Sequence, residues 1–584
     1  MPCLRSLALC FVLVLGGWVV GGVGKGQQAY AQQTDPADDP SSANLPDLSP
    51  QRFEIRGTRE INFPTIERQP LTGFETPPAV PPAPATHRPY VGTYKQERAT
   101  LPQNPPAPPT TTPLRLASAP PAYGTLAAAG GLYLTRAVTG HGAVPLDGAT
   151  ALLIDASYTG RSGFQPEGSP LEAQRDAFNG RLGLSSTGGQ TSFDGSVHGF
   201  WDQYVLYGLE PPGALQETPM RTGGGGGTTL ALQHTGALQI ESRLTYDVGQ
   251  WSTDGTATTA PFTAQDLTFD FNTGFTVAQR PARFTSSLHA RGLDGASAFS
   301  GDSFGADLGL AAGLFQAGAL RVYGGLQWLY FSSLRGPVGA TPGRTTGSFL
   351  APRFTVSWQP RAALGVYVQN RPSLQPTTVP HLFAESPYLN GAPIVQPTLE
   401  TTRLEGGVRI AAAPVRVRAF ARYRYAPHFR FVTRDTRQLT TGLFRLGYES
   451  AQIIEGGASV ALEGGLPVQA SLGITLRRAR LTEPDLAVPN VSPLTLDALV
   501  AYPFMDDAAR VALQATVAGA RYPGLAQAER TGAFIDLDVE GSYTLQPGIR
   551  ITGALRNIIP GAQTYWAGYP QPAPVLMGGL QFVW

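Results

Sequence analysis

The stretch VRVRAFARYRY, Val415 to Tyr425, sets Arg416, Arg418, Arg422 and Arg424 on one face of an extended chain. Val415, Val417, Ala419, Ala421, Tyr423 and Tyr425 fall on the other. Such a ladder of permanently charged, forked donors suits carboxylates and phosphates. Just upstream, Arg403 and Arg409 share the matching face of a second alternating run, with Glu405 between them as a partial counter-ion. Two uses stay open. The arginines form a basic track for an anionic solute or an acidic partner segment, or they pair with acids of the same wall such as Asp536, Asp538 and Glu540. Competing chemistry is absent from the pattern. The seven histidines are scattered without HExxH or paired metal spacing, and RTGGGGGTT (221–229) lacks the Gly-Lys-Ser/Thr of a phosphate loop. That glycine run reads as a flexible external loop. No nucleophile and base set is visible, so the expectation is no enzyme, no metal and no cofactor. A net charge of +1 gives no sign of nucleic-acid binding.

The elements that position these arginines are strands. Leu267, Phe269, Phe271, Phe275 and Val277 alternate with Thr268, Asp270, Asn272 and Thr276; Ile535, Leu537, Val539 and Tyr543 alternate with Asp536, Asp538, Glu540 and Ser542. An arginine facing lipid at mid-bilayer costs about 2–4 kcal/mol, so an apolar outside and a charged inside is the arrangement a membrane barrel requires. Composition agrees. Charged residues make up only 15%, below the soluble average of about 25%, with 69 glycines, 21 tyrosines and 27 phenylalanines. No apolar run after the N-terminal segment is long enough for a transmembrane helix.

Punctuation supports the same class. Tight turns are expected near 279–284, 315–320, 359–364, 411–416, 463–468, 505–510 and 545–550. Longer polar stretches lie at 334–347, 373–398, 482–492, 521–531 and 558–574. Short connections on one rim and long ones on the other are the outer-membrane pattern. The fold class is therefore all-β: a transmembrane antiparallel outer-membrane β-barrel of about 20–22 strands over 148–584, behind a Pro-rich, largely disordered N-terminal segment.

Both ends carry further expectations. Residues 1–31 read as a signal peptide, with Arg5, an apolar run from Leu7 to Val23, and a cleavage pattern at Ala29 and Ala31. Both cysteines, Cys3 and Cys10, lie within it. Residues 32–121 are rich in Pro, Ala and Thr and expected to be a disordered periplasmic segment, with one more varied island at Arg52–Phe74. At the other end Leu576, Leu580, Phe582 and Trp584 share a face of a last strand. A terminal aromatic there is expected to serve as a signal for the barrel insertion machinery.

Several of these stretches resemble the TonB-dependent receptor family. LAPRFTVSWQPRAALGVYVQNRPSLQP (350–376) is similar to its strand, turn and strand leading into a Pro-rich external loop. PIVQPTLETTRLEGGVRI (393–410) resembles its N-P-x-L-x-P-E…E-x-G stretch, with Pro397, Glu405 and Gly407 in place, but Ala392 for Asn and Thr398 for Glu. YESAQIIEGGASVAL (448–462) and LRNIIPGAQTYWAGYPQPAPVLMGGLQFVW (555–584) resemble a later strand and the terminal strand pair. The resemblance implies a barrel for uptake or passage of a solute, gated by a folded plug and a TonB box. Residues 32–121 do not match that plug; FEIRG is the only echo of its IRG motif. YGTLAAAGGLYLTRAV (123–138) resembles the plug's exit strand, so 122–147 is either that strand or a first barrel hairpin.

The expected protein is thus a receptor-like barrel without a complete plug, in the outer membrane of a Gram-negative cell. Its partners would be outer-membrane lipid and a separate plug or periplasmic protein, and the missing plug weighs against TonB coupling. A scaffold barrel of a surface or secretion complex, or a passive porin-like channel, are the alternatives.

Overall fold

The computed structural model describes residues 123–584, apart from 168, 209–217, 255–258, 296–300, 336–342, 391–394, 436–441, 463–466, 560–563 and 573. Residues 1–122, with the expected signal peptide at Ala29 and Ala31 and the Pro-rich segment, lie outside it.

Twenty-two antiparallel strands close into one barrel, each paired to its chain neighbours. The seam joins the first strand, Tyr123–Gly131, to the last, Val575–Val583, in register from Thr125 opposite Val583 to Gly131 opposite Met577. Backbone bonds between Gly124 and Trp584 finish it. An apolar last strand would be an exposed sticky edge in an open sheet; closure removes that edge.

Alternation places the apolar face outward. Leu326 and Trp328, Leu472, Ile474 and Leu476, Val511 and Leu513, and Leu576, Leu580 and Phe582 are exposed at every second position, as a lipid-facing belt requires. Trp358, Tyr502, Tyr543 and Trp584, all exposed, ring the belt near one rim, and Trp201 and Trp328 lie nearer the other. Aromatic rings favour such interfacial depths because one edge is apolar and the other polar.

The tight turns fall at 278–279, 318–319, 362–363, 413–414, 505–508 and 547–548, within the expected stretches except the first, which lies at the edge of 279–284, and together with Trp584 they mark the short-turn rim. At 278–279 both Ala278 and Gln279 have positive φ, the twist-matched geometry of a two-residue hairpin. Some strands are far longer than the roughly 9–11 residues that cross a bilayer; Val415–Arg434 has 20. Their surplus rises on the long-loop rim.

One alternative is decided and one expectation corrected. Of the two readings for 122–147 the structure has the first barrel hairpin: Tyr123–Gly131 and Thr135–Pro145 pair, and the exit-strand-like stretch is built into the wall. RTGGGGGTT is not a loop but the start of the strand Met220–Thr235. Its glycines are demanded by the neighbours. A side chain at Gly223 would strike the Trp251 indole, and one at Gly225 would strike the backbone of the adjoining strand at Val248 and Gly249.

Candidate functional site

The wall strand Leu364–Asn370 has only seven residues. Beyond it the chain turns away, and Ser373–Gln375 pairs with Thr398–Glu400. The loop between them carries a helix, α1 (Val379–Glu385), started by the Thr378 side chain, which accepts from the His381 N–H at 3.4 Å, and by Pro380 in the first turn. Val379, Leu382 and Phe383 are its buried face. Phe383 stacks on Trp251 with centroids 5.4 Å apart and lies 6.0 Å from Phe262. These rings belong to the seventh and eighth wall strands, five to seven places around the ring from the loop's own, so the loop folds inward over the lumen.

Buried charges fix it there. Arg291 donates from Nε to Asp266 Oδ1 at 2.6 Å and through its terminal nitrogens to the carbonyls of Thr377 and of Val395, the latter at 3.2 Å. One guanidinium thus ties both stems of the loop. Asp266, 1% exposed, accepts from the Val379 N–H at 3.2 Å and contacts His289 Nε2 at 3.2 Å. Arg221, 2% exposed, donates to Thr253 Oγ1 at 3.0 Å and to the carbonyls of Pro387, at 2.9 Å, and Leu389. Leu374 N–H donates to Asp307 at 3.1 Å.

The segment Pro387–Asn390 crosses the mouth. Tyr204, on the fifth wall strand, donates its hydroxyl to Pro387 O at 2.5 Å. Phe444, on the sixteenth, exchanges backbone bonds with Tyr388 O at 2.9 Å and Asn390 N at 2.6 Å. Strands five and sixteen are eleven apart in a ring of 22, on opposite sides. Tyr388 stacks on Tyr569 of the last long loop, with centroids 3.5 Å apart, and Tyr207 packs against both. Burial raises the Tyr388 and Tyr569 phenols well above their usual range, with neighbouring phenols, Tyr207 and Tyr388 respectively, adding to it.

Below the loop lies the arginine wall. Arg418 and Arg422 reach Glu405 at 3.3 and 2.5 Å, and Tyr367 donates its hydroxyl to the same carboxylate at 2.6 Å. Arg422 and Arg424 also reach Glu455 at 3.3 and 3.1 Å, where Arg477 joins them. Arg424 bonds Glu400 at 3.0 Å, with Arg403 3.9 Å away. Arg409 stacks over the Tyr367 ring at 4.7 Å. Arg416 lies one residue from the 413–414 turn. The carboxylates that pair with this ladder are therefore Glu400, Glu405 and Glu455, all buried.

Asp536, Asp538 and Glu540 are not those partners: Asp538 accepts from the Asn557 N–H at 2.9 Å and Glu540 pairs with Arg556 at 3.1 Å. Their strand, Phe534–Gln546, stands five places around the wall from Val415–Arg434. Glu400, Glu455, Arg477 and Tyr367 went unnoticed in the sequence because strand register, not spacing, brings them to the ladder. Among the six arginines 403, 409, 418, 422, 424 and 477, three carboxylates leave three positive charges over. At the C-terminus, Leu576, Leu580 and Phe582 face lipid, and Trp584 is 64% exposed at the rim.

No protein-family model matches the sequence, and no curated protein does. Solved structures match its fold. The FrpB iron transporter of Neisseria meningitidis (F3-3 variant) aligns at TM-score 0.61 and 10% identity, over 80% of this chain and 82% of that one. The ferric-catecholate import receptor Fiu of E. coli K12 aligns at 0.60 and 11%, over 79% and 82%. The siderophore receptor PiuA of Acinetobacter baumannii aligns at 0.58 and 11%, over 79% and 82%. With its closed wall and apolar outer belt, the chain has the fold of the TonB-dependent receptors, the 22-strand β-barrel.

Proposed function

We propose that this barrel moves an anionic solute across the outer membrane along its basic inner wall, and that its own loop 371–397 closes the mouth in place of a plug domain. Transport as the broad role is supported by the neighbouring folds, named as iron, catecholate and siderophore transporters or receptors. The observation that carries the finer reading is the crossing at Pro387–Asn390, bonded to opposite strands. A wide barrel with an open lumen would leak solutes; a crossing held by buried arginines does not. Coupling to TonB through this chain is not part of the reading, and neither is catalysis.

Conductance in planar bilayers tests it. Full-length protein should conduct little, deletion of 32–121 should change nothing, and replacing 378–396 by a short Gly-Ser linker should open an anion-selective pore. A large steady pore in the full-length barrel would point to a separate plug protein and to the scaffold alternative. Opening on deletion of 32–121 alone would make that segment the plug.

A further inference from the structure

Beneath the stem of the loop, on the ninth to thirteenth wall strands beside the ion-paired ladder, three more arginines come together with no ion pair among the described residues. Arg353 donates from Nη1 to Thr285 Oγ1 at 2.9 Å and to Gln327 Oε1 at 3.1 Å, both neutral acceptors. These groups meet over Gly309, where any side chain would collide with all three. Arg283 lies two residues from Thr285, on the same face of the strand Arg280–Gly295. Arg371, the first residue past the short wall strand, has a buried Nε with no partner. Among the described residues, neither the Arg283 nor the Arg371 side chain makes a hydrogen bond or ion pair.

The neighbouring acids are already occupied. Asp307 accepts from Gln327 Nε2 and from the Leu374 N–H, and both Glu405 oxygens are taken by Tyr367, Arg418 and Arg422. Strand register groups the three: Phe354 pairs with Asn370, which sets Arg353 beside Arg371, and Arg353, Gly325, Ala311 and Arg283 form one row across four strands. Like charges held together in a half-buried wall repel, and the direct remedy is an anion between them.

We propose that Arg283, Arg353 and Arg371 form a lumenal subsite for a small oxyanion, the phosphate, sulfate or carboxylate group of a solute. It would be read by guanidinium forks, with Gly309 leaving room for the Arg353 guanidinium and its two neutral acceptors. This deepens the transport reading and rests on its anionic solute. The test is equilibrium dialysis of the full-length protein in detergent against radiolabelled sulfate, phosphate and acetate. Saturable binding of about one ion per chain is expected. R353Q and R371Q should each weaken it about tenfold or more, the effect of losing a charge-assisted bond. R371K, which keeps charge without the fork, should fall between. R550Q, which removes a lumenal arginine bonded only to Gln581 at 3.4 Å, should leave binding unchanged. Heat-modifiable gel migration reports that each variant is folded. Absence of saturable binding by all three anions, or an equal loss in R550Q, overturns the subsite. If the loop-excised pore is still anion-selective, only the subsite falls; if selectivity is missing too, the transport reading falls with it.

Discussion

Arg291 and Arg221 are unusual residues to bury, because each spends most of its donors on backbone carbonyls of one loop. Breaking a buried pair from one side leaves the partner charge stranded, which costs about 3–5 kcal/mol. R291M should therefore cost more than R221Q, since Asp266 would keep only His289 and the Val379 N–H. We expect R291M to lose amide protection across 377–395 in hydrogen exchange, with barrel strands unaffected; unchanged protection there would show that ring packing alone holds the loop. Little of this was legible beforehand. The arginine ladder was visible as period two, but the latch residues sit in ordinary strands and gain meaning only from a loop 86 to 168 residues away in sequence. The acids first paired with the ladder were wrong for the same reason. Charge sign is written in the sequence, whereas register and place around the ring are not.

At the level of elements, hairpin turns were readable because Gly, Pro and Asp mark positive φ and strand ends. The misread glycine run shows the limit of that rule: glycines also admit a bulky neighbour such as Trp251 inside a strand. The seam makes the same point. A side chain at Gly124 would collide with the Trp584 indole. We expect G124L, and removal of Phe582–Trp584, to leave protein unassembled in the periplasm or degraded; normal levels of both at the surface would show the seam tolerates mispacking. The tyrosine cap carries a pH prediction. With Tyr388 and Tyr569 raised by burial, the closed cap binds more protons than the open one once pH passes the free phenol's value of about 10. Stability of the cap then falls as pH rises. Conductance should climb above about pH 10 together with tyrosinate absorbance, and Y388F should delay the rise to higher pH. Conductance flat across that range would mean these phenols are not what keeps the cap shut.

For the whole molecule, closure of 22 strands satisfies the backbone without help from an internal domain, so residues 32–121 are dispensable for insertion on this account. A ring of that many strands, spaced about 4.8 Å and tilted about 40°, would be about 44 Å across if circular. Yet Tyr204 and Phe444, on opposite strands, are joined through Pro387–Asn390, and Tyr204, Leu206 and Leu443 share one buried cluster. Four residues, one tyrosine side chain and the joining bonds reach roughly 25 Å together. The outer rim must therefore be squeezed along that line, or its strands must lean in to meet. Either way the aperture is divided, like a lens cut by a chord. One lobe, over strands six to fifteen, holds the loop with its Arg221 and Arg291 anchors; the other lies under the last long loop and Tyr569. Freeing the anchors should unroof the first lobe and leave the second shut, so this barrel would open as two small doors, each with its own hinge.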